Sequence, residues 1–258
     1  MVLLDADTHA EIAESAFVAG EFGRLKQKKA DSSVAGSYRT LGIAGRNTLV
    51  ELFGGELGGG GLRGGLVFSF EEPGSSKLAR DLLAEEGIPH HADLVRRSVP
   101  GEDEQQPWYH LIAVNVGDGS PFLLLLNEVT PEYFASLGAV TGEDGAMTRR
   151  AYLDAVLGEP EPRLLEDITG VTMRTTPDRA RAIAAALTPF GYEEREGDDV
   201  LEVSSPELTL RLERGEDERV TELTLALNPE VPRPAVREYR FGASELVFET
   251  TTARWTFS

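Results

Sequence analysis

The feature that most constrains this chain is a repeat. A strand, an amphipathic helix and then several strands follow one another three times along its 258 residues. A helix between two strands ordinarily marks a crossover in a parallel sheet. Here the helices are too few for the strands. The pattern therefore predicts an α+β fold: repeated βαβββ units forming curved mixed sheets, with helices on the outer face. The concave face is then open to a ligand.

The first unit opens with a strand at Val2–Asp5. Thr8 reads as a helix cap with Glu11 completing a capping box, and Ile12, Ala16 and Phe17 as the apolar face. Arg24–Ser33 reads as a polar connection. Strands at Tyr38–Ile43 and Thr48–Phe53 then flank a turn at Gly45-Arg46-Asn47. The glycine-rich run from Gly54 to Gly61 lacks the Lys-Ser/Thr ending of a phosphate loop and precedes no helix start, so it reads as a linker. In the second unit Leu66, Phe68 and Phe70 alternate as in a half-buried strand, and Ser75 or Ser76 caps a helix ending at Gly87. Strands follow near Asp93–Val99, Trp108–Val116 and Phe122–Asn127, with a polar loop from Gly101 to Gln106. Residues 130–165 read as a helical connector with starts at Thr130-Pro131 and Thr148. The third unit has a strand at Ile168–Thr175, a helix started by Thr176-Pro177, strands at Val200–Val203, Leu208–Leu212 and Val220–Leu227, and a hairpin-like tail from Val236 to Phe257. The expected division is 1–129 for two paired units, 130–165 for the connector, and 166–258 for the third unit with its C-terminal hairpin.

Charge and composition narrow the partners. A formal net charge of −19 repels phosphate backbones and anionic lipid, which argues against nucleic acid and membrane surfaces. With no cysteine, disulfides, thiolate nucleophiles and thiolate metal centres are excluded. Asp5 interrupts the N-terminus too early for a signal peptide, and the longest apolar run, Phe122–Leu126, is of strand length. The expected address is the cytoplasm. Only four of the 25 basic residues are lysine, a bias consistent with a GC-rich bacterial genome.

Three stretches carry a family resemblance. They are the helix Ala13-Glu14-Ser15-Ala16-Phe17 with Glu21-Phe22, the hairpin Gly45-Arg46-Asn47-Thr48-Leu49-Val50-Glu51-Leu52-Phe53, and the tail Tyr239-Arg240-Phe241-Gly242-Ala243-Ser244 with Ala253-Arg254-Trp255-Thr256-Phe257. Together they resemble the bacterial family DUF5829, and the repeated unit resembles the vicinal-oxygen-chelate (glyoxalase/bleomycin-resistance) superfamily. Metal-using members of that superfamily place a histidine on each unit's first strand and a glutamate on its last. By that resemblance Glu51, Glu128 and Glu222 stand at the carboxylate positions, while Val2-Leu3 and Gly64-Gly65-Leu66 stand where the histidines would be. A catalytic metal needs about three protein ligands, so no metal or other cofactor is expected.

Among individual residues, Glu51 is the candidate general base, grouped with Leu49 and Phe53 if odd positions of its strand face the pocket. His110 is a second candidate base by residue type and Glu128 a second acid. Tyr38, Arg46 and Trp108 are expected to orient the ligand. His9 reads as a solvated helix residue, and the adjacent pair His90-His91 points to opposite faces. The implied activity is isomerisation, rearrangement or lyase-type chemistry on a small oxygen-rich metabolite, with bacterial secondary metabolism as the expected setting. The alternative is a protein that sequesters a drug or natural product without turnover. The third unit has no partner unit in this reading. Either its aromatic tail folds back over it, or two chains pair their third units as a homodimer, which is preferred because it completes the architecture.

Overall fold

A computed structural model of the chain describes residues 1–32, 36–55, 61–98, 104–158 and 162–258, and for residues 28–38 no more than the backbone. Two eight-stranded mixed sheets dominate the fold. The first contains β1 (Val2–Leu4), β2 (Arg24–Ser32), β3 (Gly36–Ala44), β4 (Leu49–Gly54), β5 (Gly64–Phe70), β6 (His90–Arg97), β7 (Gln106–Val114) and β8 (Phe122–Val129), in the order β2-β3-β4-β1-β5-β8-β7-β6. Helix α1 (Ala6–Glu14) follows β1 and helix α2 (Ser75–Glu85) follows β5. In each unit the first strand pairs parallel with the last, as a crossover helix requires, and the two units join where Val2 meets Gly64.

Helices α3 (Pro131–Ser136) and α4 (Arg149–Leu157) connect the first sheet to the second. The second sheet holds β9 (Leu165–Thr175), β10 (Glu193–Glu196), β11 (Val200–Ser204), β12 (Thr209–Arg214), β13 (Arg219–Leu227), β14 (Glu238–Phe241), β15 (Ser244–Phe248) and β16 (Thr252–Phe257). Its order, β10-β11-β12-β9-β13-β16-β15-β14, repeats that of the first sheet, with α5 (Pro177–Leu187) after β9. The expectation of an unpaired third unit is thereby corrected. Val220–Leu227 is not the last strand of that unit; it lies in β13, which opens a fourth unit that completes the sheet.

The fourth unit escaped the sequence pattern because it has no helix between β13 and β14. That deletion has a topological consequence. Without a helix to carry the chain back, the three following strands run reversed, and β13 pairs antiparallel with β16 where the other units pair first and last strands in parallel. The helix is replaced from outside. Phe17 stacks on Tyr239 at 3.8 Å, and Phe22 packs edge-on to Phe248 and Trp255 at 6.1 and 5.7 Å. Phe22 belongs to a π-helical turn, Val18–Phe22, that continues from α1. Thus α1 and its extension cover unit one on one side and unit four on the other. One continuous core joins both sheets with α1, α2 and α5.

The tail does fold back onto its own chain, and it turns Phe241, Leu246, Phe248, Trp255 and Phe257 into this core. The opposite face of the second sheet is polar. It carries the ion pairs Glu202–Arg211 and Glu222–Arg254.

Two strands were missed, β2 and β10. Both are edge strands with charged sequences, Arg24-Leu25-Lys26-Gln27-Lys28-Lys29 and Glu193-Glu194-Arg195-Glu196. Charge on an edge blocks association with other chains and erases the apolar alternation that marks a strand. The helix caps also differ. Asp5, not Thr8, is the N-cap of α1 and accepts from the Thr8 amide at 2.8 Å. At α2 the N-cap is Gly74, with no side-chain cap of its own.

Candidate functional site

The faces of the first sheet follow from strand alternation. Val50 and Leu52 on β4 enter the core, which leaves Leu49, Glu51 and Phe53 on the concave face. Leu3 pairs with Phe53 and lies on that side as well. From the second unit Tyr109 joins them, opposite Val129 on β8. Glu51 is half-buried and Phe53 buried, whereas Leu49 is exposed near the start of the strand.

The connector forms a roof over this face. Arg24 on β2 is paired with Asp154 of α4 at 2.6 Å, and Lys26 donates to the Val156 carbonyl at 2.9 Å. At the other side Glu71 accepts from the Arg149 amide at 2.7 Å and from its guanidinium at 3.1 Å. Thr130 and Thr148 cap α3 and α4 with their hydroxyl oxygens, as their sequence positions predict. Those caps fix the first turns that carry Tyr133 and Tyr152.

An aromatic cluster results. Trp108 lies 4.8 Å from Tyr109 and 5.8 Å from Tyr133, and Tyr133 lies 6.4 Å from Tyr152. The Arg97 guanidinium sits 4.4 Å above the Tyr133 ring. Tyr152 shares a side-chain hydrogen bond with Tyr133. Burial first, and then the neighbouring Tyr133 and the negative charge of Glu51, push its hydroxyl pKa well above the ordinary range. Tyr152 therefore keeps its proton across the physiological range. The Met1 amino group donates to the Gly65 carbonyl at 2.8 Å; burial lowers its pKa while Glu51 acts in the other direction.

Of the residues singled out in the sequence, the structure brings Glu51, Leu49 and Phe53 onto one face, with Trp108 in the aromatic cluster. His110 and Glu128 are cross-strand partners on the opposite face. Glu128 is buried, and its two carboxylate oxygens accept from the Gly74 and Ser76 amides at 2.8 and 2.7 Å. It is the anion that satisfies the N-terminus of α2, the task sequence assigned to Ser75 or Ser76. Its role as a second acid beside Glu51 is corrected accordingly. His110 is exposed on that same side. The Tyr38 side chain lies outside the described residues.

Arg46 has a structural task of its own. Its amide donates to the Glu166 carbonyl at 2.6 Å and its guanidinium to the Glu166 carboxylate at 3.1 Å. Beside it Asp167 accepts from the amides of Asn47 and Thr48 and from the Thr48 hydroxyl. The hairpin motif is thus a socket for the start of β9. Gly45 must be glycine there, because a Cβ would stand 2.3 Å from the Glu166 carbonyl oxygen.

Tyr133 and Tyr152 were overlooked. The available signal was their placement within the first turns of two Thr-capped helices. The residues present do not fit the metal centre that the sequence resemblance implies: Glu51 and Glu128 face opposite ways, and Glu222 pairs with Arg254 on the second sheet. Among the described residues no group of three or more His, Cys, Asp or Glu side chains is arranged to hold a metal ion. No helix among them is long and apolar enough to cross a membrane.

One solved structure agrees with this architecture. A hypothetical protein from Staphylococcus aureus superposes with a TM-score of 0.50 at 11% identity, over 84% of this chain and 85% of that one. The Mn(II)-bound glyoxalase from Novosphingobium aromaticivorans superposes at 0.48 with 11% identity, over 85% of this chain, which spans 62% of the glyoxalase chain. No curated protein matches the sequence. The family model described as "Family of unknown function (DUF5829)" matches residues 1–257, and the chain is therefore a member of the DUF5829 family.

Proposed function

We propose that the protein takes up a small oxygen-rich molecule between the concave face of the first sheet and the connector, and that Glu51 is its proton acceptor. The observation that carries this reading is geometric: a half-buried carboxylate, Glu51, lies on the concave face beneath a connector that is pinned by Arg24–Asp154 and Arg149–Glu71 and carries the phenol of Tyr152. Such a pair suits proton transfer next to a carbonyl. The carboxylate takes the proton from carbon, the electron pair moves onto the carbonyl oxygen, and a phenol hydrogen bond stabilises the charge that develops there. Return of the proton to a neighbouring atom gives isomerisation; loss of a β-substituent gives lyase chemistry. The setting proposed is bacterial secondary metabolism.

One observation favours a second reading, sequestration without turnover. The roof is pinned from both sides, by Arg24–Asp154 and by Arg149–Glu71, an arrangement suited to retaining a ligand. Native mass spectrometry of protein purified from its own host identifies the bound molecule. Incubation of that molecule with wild type in deuterated water then separates the two readings. Deuterium incorporation or product that is lost in Glu51→Gln supports catalysis. A molecule recovered unchanged supports sequestration.

A further inference from the structure

A second feature lies outside the concave face. A cleft of about 290 Å³ opens where the first sheet, α4 and the entry to β9 meet, and Arg24, Arg46, Arg150 and Arg163 line it. Four arginines thus line one cleft in a chain whose net charge is −19. Three carboxylates accompany them, Asp154, Glu166 and Glu230. Two of these are already engaged: Asp154 by Arg24 at 2.6 Å and Arg150 at 3.8 Å, and Glu166 by Arg46 at 3.1 Å.

The arginines divide into fixed and available groups. Arg24 has a side chain only 9% exposed, and it is held by Asp154 and the carbonyls of Gly45 and Gly158. It is a rigid positive floor. Arg46 and Arg150 are each 52% exposed, and their ion pairs use one nitrogen apiece. Their remaining N–H groups retain the fork geometry that matches an oxyanion. Glu159 and Glu161 lie outside the described residues.

We infer that this cleft binds a small oxyanion of the phosphate or carboxylate type, with Arg46 and Arg150 as the contacting forks and Arg24 as the floor. The site is distinct from the Glu51 face but is mechanically joined to it, because α4 carries Arg150 and Asp154 toward the cleft and Tyr152 toward Glu51. Anything that binds the cleft therefore also stabilises the roof.

The test is calorimetric titration of the full chain with inorganic phosphate and, separately, succinate, at constant ionic strength set with chloride. The expected result is saturable one-site binding of at least one probe, weakened about tenfold or more in Arg150→Gln, as loss of a charge-assisted hydrogen bond implies. Arg240→Gln, on the edge strand β14, is the control and keeps wild-type affinity. Stronger phosphate heat assigns the site to phosphorylated ligands, and stronger succinate heat to carboxylates. Arg46→Gln should also weaken binding; if it loosens docking onto Glu166 and fails to fold, Arg150→Gln carries the test alone. In parallel, the preferred anion should raise the melting temperature of wild type and not of Arg150→Gln. Absence of saturable heat with both probes, or unchanged affinity in Arg150→Gln, overturns the inference.

Discussion

At the scale of single residues, the alternation along β4 decides the account. Val50 and Leu52 enter the core and Glu51 does not, so the one carboxylate amid an apolar strand faces the connector. Sequence could narrow this to two choices but could not make one, because both faces of Leu49–Phe53 are largely apolar. Glu128 shows the opposite outcome. It occupies the matching strand end of the second unit, yet it faces α2 and serves that helix. Nothing in the local sequence separates the two glutamates; the difference is which helix start lies within reach. His9 is a further departure. It is half-buried against Gly54, and burial, with the nearby Arg39 charge, holds its pKa below the ordinary 6.5 although a backbone contact at Leu52 acts the other way. A group with a lowered folded pKa stabilises the fold fully above its unfolded value and loses that contribution as pH falls through the folded one. Urea midpoints taken above and below pH 6.5 should therefore fall with acidity in wild type by more than in His9→Gln. Equal falls would show that His9 carries none of the acid sensitivity.

At the scale of elements, the first three helices of the repeat and most interior strands were legible, because apolar periodicity and caps agree there. The fourth unit was not legible, because its defining helix is absent and its cover comes from residues more than two hundred positions earlier. The Gly242 amide donates to Glu11 at 2.8 Å and the Ala243 amide to the Thr8 hydroxyl at 2.9 Å. Thr8 and Glu11, which looked like a capping box, spend their side chains on this long-range contact. Phe22 is the hinge of the claim that α1 and its extension substitute for a missing helix: it is fully buried and reaches both Phe248 and Trp255. Phe22→Ala should cost about 3–5 kcal/mol by cavity formation. Trp255, wholly buried, should report the same change as a red-shifted emission. A loss under about 1 kcal/mol, the range of a surface substitution, would show that the fourth unit is covered by something else.

At the scale of the whole molecule, the stretches that carry the family resemblance prove to be contact partners. The α1 extension meets the tail, and the Gly45–Thr48 hairpin receives Glu166 and Asp167. These stretches therefore serve to join the two sheets. Gly45→Ala, which places a methyl group against the Glu166 carbonyl, should split one cooperative unfolding transition into two. A single unshifted transition would mean that the hairpin does not control docking. The functional reading rests instead on Glu51 and the roof above it, and it is testable by comparing two glutamates. Native mass spectrometry and thermal melts should be run on wild type, Glu51→Gln and Glu128→Gln, all purified in parallel from the native host. The account predicts a dissociation: Glu51→Gln loses the co-purified molecule with little change in melting temperature, while Glu128→Gln keeps it and is destabilised by about 1–2 kcal/mol through loss of the α2 anion. Ligand retained at full occupancy in Glu51→Gln, or lost only in Glu128→Gln, would contradict the assignment of the site to the concave face.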